Sequence, residues 1–258
     1  MIRLSLALLA SLAVLASAAF GASTPPPGVP MGARCLQKAY PKFVCGVDSN
    51  HVTLCDGTRI TYDPHRGARR PFAARLAGAS LADQMSIPYP VGDVFRPPPA
   101  LNSDPGRLRH AGFFKKMYGD SSRAVRRTLK KVRWFRKRGP RRTLLVTSVN
   151  GVDKKLQAIS DALEKLPRRI RDIAAKSSGT FVWRKIRGTP RLSTHSFGIA
   201  IDVGVKHSNY WKWQRRKKGV PLKYRNRIPH EIVKIFERHG FIWGGKWYHY
   251  DTMHLEYR

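Results

Sequence analysis

Apolar positions recur at helical spacing in several parts of the chain. Val152, Leu156, Ile159, Leu163 and Leu166 follow one another at intervals of 4, 3, 4 and 3, which predicts an amphipathic helix that Pro167 ends. Ile170 and Ile173 predict a second, short helix over 168–176. IPHEIVKIFERHG predicts a third, with Pro229 near its first turn, Gly240 as its stop, and Ile232, Ile235 and Phe236 as its apolar stripe. In SSRAVRRTLKKVRWFRKRG, Val125, Leu129, Val132 and Phe135 stand 4, 3 and 3 apart. That spacing predicts a helix whose other face is Arg and Lys.

Other stretches read as strands. TLLVTSV (143–149) is β-branched and apolar, a buried strand by composition, and Asn150-Gly151 turns the chain after it. GTFVWR (179–184) and GIAIDV (198–203) are further candidates. FIWGGKWYHYDTMHLEYR closes the chain with two short strand-like runs around Gly244-Gly245. Nearer the N-terminus, STPPPGVPMG (23–32) predicts an extended linker. Residues 33–63, with HVTLC and RITY, predict a small β-rich unit, and 64–100 look irregular. Strands and helices mix without βαβ regularity, so the expected class is α+β, a small, mostly antiparallel sheet flanked by helices.

Charge changes the picture. Lys and Arg number 49 against 16 Asp and Glu, a formal net charge of +33, in a chain that is 42% hydrophobic. Such a globular polycation attracts nucleic acid, anionic lipid or the acidic polymers of a bacterial envelope. Eight of the thirteen residues 130–142 are basic; they form either a solvated face or a docking patch for an anionic polymer. The N-terminus decides among partners. MIRLSLALLASLAVLASAAFGAS has the charged, apolar and small-residue zones of a secretory signal, with cleavage after Ala18 or a few residues later. Export to the periplasm or cell exterior excludes nucleic acid as the natural partner, and no other segment is long and apolar enough to span a bilayer. In an oxidising compartment two of Cys35, Cys45 and Cys55 pair and one is left over.

Candidate chemistry concentrates in RLSTHSFGIAID (191–202). His195 and Asp202 stand seven apart and converge only if the chain bends between them, which Gly198 permits. Ile199, Ile201 and Val203 then take one face, and Ala200 and Asp202 the other. A third ligand must come from elsewhere, and DTMHLEYR offers His254, with Met253, Leu255 and Tyr257 on the core side and His254 and Glu256 opposite. Two histidines and a carboxylate leave a tetrahedral zinc one position for water, the arrangement of a catalytic site. Asp251 is placed to move a proton beside it. His249 shares a strand face with Asp251, either supporting the site or exposed.

The residues Ser193, His195, Gly198, Ala200 and Asp202 (S-x-H-x-x-G-x-A-x-D), followed by Asp251 and His254 (D-x-M-H-x-E-Y), resemble the zinc D-alanyl-D-alanine carboxypeptidase family, which includes vancomycin-resistance D,D-carboxypeptidases and L-alanyl-D-glutamate endopeptidases. GTFVWRKIRGTPRLSTH and ERHGFIWGGKWYHYDTMHLEYR resemble an exported branch. The resemblance covers about residues 101–258, the expected peptidase domain. It leaves 1–22 as signal and 23–100 as linker and cysteine-bearing accessory segment. It implies one zinc held by His195, Asp202 and His254, with Asp251 as general base where many members have Glu. It also implies an arginine that steadies substrate and oxyanion. The usual strand followed by Tyr-Arg is missing; Arg184 is the first choice and Arg191 the second. Ser193 either orients substrate or shapes the turn. The implied substrates are peptidoglycan stem peptides, cut by a monomer, with anionic envelope polymers as further partners. The competing expectation is a non-catalytic zinc module that binds the wall, against which the retained Asp251 argues.

Overall fold

The computed structural model describes residues 28–68, 70–92, 96–214, 220 and 222–258. The expected signal segment over 1–22 and residues 23–27 of the linker lie outside them. The fold is α+β, and among the described residues its antiparallel strand pairing is divided among three small sheets.

The cysteine-bearing segment opens with a helix that the strand pattern did not announce. Helix α1 (Met31–Ala39) begins directly after Pro30, where a missing N–H costs nothing. Its Ala33 and Leu36, three apart, are buried. Strands β1 (Val44–Val47), β2 (His51–Leu54) and β3 (Arg59–Thr61) follow as an antiparallel meander. Cys45 and Cys55 join as a disulfide across β1 and β2, and Cys35 stays an exposed thiol on α1. The region expected to be irregular holds two short helices, α2 (Phe72–Ala77) and α3 (Leu81–Met85). Ser80 caps α3 in a reciprocal box with Asp83.

Helix α4 (Ala111–Tyr118) and the short α5 (Ser122–Arg126) lead into the clearest departure from expectation. The predicted basic helix breaks after α5, and Leu129–Trp134 is a strand, β4, paired with β5 (Arg142–Thr147) from Leu129↔Thr147 to Trp134↔Arg142. The side chains explain it. Val132 and Trp134 are buried while Lys131 and Arg133 are exposed, a period of two that the interval between Leu129 and Val132 disguised. Phe135, also buried, ends the strand with a positive φ of 52°.

Helix α6 (Val152–Leu163) lies over this hairpin. Its Gln157 bonds both the N–H and the carbonyl of Arg133, and Ser160 Oγ accepts the Phe135 N–H at 2.8 Å. Asn150 and Gly151 make the expected turn before it, both with positive φ. Helix α7 (Arg168–Ala175) follows Pro167 as predicted. Residues 179–184, expected as a strand, are not one. Val182 and Arg184 donate to the His195 carbonyl and Ser196 Oγ, partners in a tight turn that offers no ladder.

The last sheet, in order β6-β8-β7, consists of β6 (Ala200–Asp202), β7 (Phe241–Trp243) and β8 (His254–Tyr257). Helix α8 (His230–Arg238) packs beside β7. One core runs through the molecule, from Val29, Leu36 and Tyr40 through Phe113, Trp134 and Ile159 to Ile201, Phe236 and Leu255. Among the described residues no helix is long and apolar enough to cross a membrane.

Gly198 joins the site's turn to β6 with φ +66°, and a Cβ there would lie 2.8 Å from Leu129 and 3.1 Å from the Thr147 nitrogen. Gly198→Ala is therefore expected to lower stability by about 2 kcal/mol in urea unfolding, since a left-handed non-glycine residue alone costs roughly 1–2 kcal/mol. An unchanged midpoint would contradict this account of the bend.

Candidate metal centre

Strand register builds half of the site. Asp202 stands directly opposite His254, so their side chains leave the sheet on one face as neighbours. Ala200 stands opposite Glu256 on that face, and its methyl leaves room for the carboxylate. His195 arrives from the turn Thr194–Phe197, which Ser193 caps through its hydroxyl, and Gly198 then reverses the chain into β6.

These elements bring three side chains to one point. Asp202 Oδ1 lies 3.3 Å from His195 Nε2 and 3.0 Å from His254 Nδ1. One candidate ligand atom from each of the three residues lies within 4.8 Å of the others. Tetrahedral zinc with bonds of about 2.0–2.1 Å holds its donor atoms about 3.3 Å apart, and the two distances to Asp202 match that spacing. The remaining ring nitrogens are engaged elsewhere. His195 Nδ1–H donates to the Thr180 carbonyl at 2.8 Å, and His254 Nε2–H to Glu256 Oε2 at 3.0 Å. Those bonds orient the rings and turn His195 Nε2 and His254 Nδ1 toward Asp202.

Electrostatics agree with the geometry. Burial alone would raise the Asp202 pKa, but hydrogen bonds from both histidines hold it well below the usual carboxylate range. Burial likewise disfavours charge on His254, yet the bonds to Asp202 and Glu256 outweigh it and raise His254 to about 10. Glu256 is fully buried and still held well below the ordinary range, because Arg258, His254 and Arg109 offset its desolvation.

A cleft of about 370 Å³ opens over the cluster, bordered by Arg184, Arg191, Tyr210, Trp247 and Asp251 among others. Asp251 sits one turn before His254, and its carbonyl accepts the His254 N–H at 3.1 Å. Its Oδ1 is buried with no hydrogen-bond partner. Burial, partly opposed by the charge of His254, raises its pKa to about 6. Met253, expected to face the core, instead borders the cleft and accepts a contact from Ser208 Oγ. Ser193 also borders the cleft while capping the turn.

Both candidate arginines reach the cleft. Arg184 is exposed. Arg191 donates to the Arg107 carbonyl, and burial, then the charge of Arg107, lower its pKa to about 10. Sequence reasoning missed Arg107 and Arg109, which also line it. Arg107 bonds the buried Asp104 at 2.9 Å; Arg109 donates to the Leu192 carbonyl at 2.9 Å and lies 3.9 Å from Glu256. No local pattern marks them: Arg109's partners and the Arg191 side chain that bonds the Arg107 carbonyl lie more than 80 residues along the chain. Glu256 was findable, since it stands two residues after His254 on the same face. His249 is not on a strand; its Nδ1 lies 2.6 Å from Asp104 Oδ2, and its ring forms part of the cleft wall.

Residues 187–257 match the family model described as D-alanyl-D-alanine carboxypeptidase. The match contains His195, Asp202, Asp251 and His254 together with Arg191 and Ser193, and stops short of Arg184. It supports a peptidase of the metal-dependent kind that the three-residue cluster fits. Comparisons with curated proteins and with solved structures returned no match.

The raised pKa of His254 has a direct consequence for metal uptake. A metal needs the neutral ring, whereas without metal the ring holds its proton until the pH approaches 10. Zinc binding at pH 7.5 is therefore expected to release about one proton from this ring. Titration calorimetry in buffers of different ionisation enthalpy reads that number, and binding without proton release would contradict the hydrogen-bond scheme.

Proposed function

We propose that this chain is an exported zinc peptidase that hydrolyses peptide bonds in peptidoglycan stem peptides. One observation carries the reading. Beside two histidines whose inner ring nitrogens meet at Asp202 stands a carboxylate, Asp251, with an unbonded oxygen and a pKa of about 6. A module that only bound zinc would need no such group.

His195, Asp202 and His254 would hold the metal. Zinc there supplies Lewis-acid polarisation of a carbonyl and lowers the pKa of water. Asp251 takes a proton from the attacking water and hands it to the leaving amine, a task suited to a group that titrates near the working pH. Arg191, its guanidinium anchored on the Arg107 carbonyl, and Arg184 at the cleft's edge bind the substrate carboxylate and the developing oxyanion with paired donors. Tyr210 and Trp247 wall the cleft and limit water. The signal-like N-terminus and the Cys45–Cys55 disulfide support export.

Purified muropeptides incubated with the protein and analysed by mass spectrometry test the reading. Shortened peptides are expected, their formation abolished by a chelator and restored by zinc; binding to muropeptides without products would leave the wall-binding module instead. Asp251→Asn is expected to keep zinc and lower kcat by about 100- to 10,000-fold, the usual contribution of a general base. In the native protein kcat/KM should fall about tenfold per pH unit below 6, because Asp251 must be ionised to act. A flat acid limb would overturn the assignment of Asp251.

A further inference from the structure

A second concavity, of about 430 Å³, lies outside the cleft and shares no lining residue with it. Pro140, Ala175 and Val205 give it an apolar floor, and Arg142, Lys176 and Lys206 supply cations around it. None of its eight lining residues is acidic. Arg142 is fixed there by donating to the Ser177 carbonyl. Arg227 donates to the Lys206 carbonyl at 3.1 Å and brings a further guanidinium to the lip. Ser177 is 4% exposed, and its hydroxyl is buried with no hydrogen-bond partner. A buried, unpartnered donor beside an anchored guanidinium and two lysines has the chemistry of an anion site. Pro140 and Arg142 of its lining adjoin along the chain the exposed basic residues Arg136, Lys137, Arg138 and Arg141.

We infer that this groove docks a phosphate-bearing polymer of the cell envelope, a polyol-phosphate chain. Arginine and hydroxyl donors suit phosphate oxygens. The apolar floor suits the aliphatic links between phosphates, and the basic loop extends the contact along a chain rather than to one ion. Preferring an envelope polymer over a nucleic acid rests on the export reading. The groove backs the strand that carries Asp202: Ser178 N–H donates to the Asp202 carbonyl at 3.0 Å, and Ser177 bridges Val203. A polymer held there would keep the cleft beside the wall while leaving it open to peptides.

The test compares binding of poly(glycerol phosphate) to the full chain and two variants of equal charge. One is Arg142→Gln/Lys176→Gln/Lys206→Gln in the groove; the other is Lys130→Gln/Lys131→Gln/Arg133→Gln on β4. The groove variant is expected to lose about tenfold or more in affinity at physiological salt and to show a shallower salt dependence, the β4 variant about threefold or less. Lys176→Gln/Lys206→Gln, which leaves the Arg142 anchor in place, should show an intermediate loss. Equal losses in both triple variants, or none in the groove variant, would overturn the inference. So would duplex DNA of matched charge losing as much affinity as the polymer. Muropeptide turnover should be the same in all variants. If the native chain cuts no muropeptide, the peptidase reading fails while the binding comparison still decides the groove, with thermal melting as the check on folding.

Discussion

Glu256 is a fully buried carboxylate behind His254, in a chain that carries a large excess of cations. Its burial is tolerable only because Arg258 bonds it, Arg109 lies 3.9 Å away and His254 Nε2 donates to it at 3.0 Å. That arrangement sets the direction of His254. With Nε2 committed to Glu256, Nδ1 can face only Asp202. The same cluster reaches beyond the sheet, because Arg258 also donates to the Gly106 carbonyl and Arg109 to Leu192, in the segment that leads into the His195 turn. Removing the carboxylate would leave two buried guanidiniums uncompensated and the imidazole free to turn.

The loop that carries Asp251 is anchored just as firmly from outside the family match. Lys246 is almost fully buried and bonds Glu237 at 2.6 Å and the carbonyls of Pro90 and Gly92. Tyr89 OH and the Gly92 N–H close the same knot on Glu237. Gly244, two residues before Lys246, accepts the Asp251 N–H. Asp104 adds a second tie by binding both the backbone and the ring of His249. Tyr89, Pro90, Gly92 and Asp104 thus brace the segment that carries Asp251, and Arg107 lines the cleft itself, although nothing in their own pattern announces chemistry.

What could be read from the sequence follows from the range of the forces involved. Helices α6, α7 and α8 and strand β6 were legible because an apolar stripe and a proline or glycine stop are local signals. The convergence of His195 and Asp202 was legible through Gly198, and the face shared by His254 and Glu256 through strand alternation. The β4 strand was not, since Leu129, Val132 and Phe135 satisfy helical spacing and only pairing with β5 decides the matter. Residues 179–184 failed for a similar reason: their hydrogen bonds end on a turn made by residues 193–196. Arg109 and Asp104 work through partners more than 80 residues away, as does the Arg107 carbonyl that holds Arg191, and no window of sequence contains them.

The central claim is that two oppositely engaged histidines and Asp202 form one zinc site. A crystal structure of the zinc-loaded protein, with anomalous scattering recorded at the zinc edge, tests it most directly. The account predicts a single ion bound by His195 Nε2, His254 Nδ1 and Asp202, with Glu256 still hydrogen-bonded to His254 Nε2. Zinc bound through His254 Nε2, or no anomalous peak between these three side chains, would contradict it.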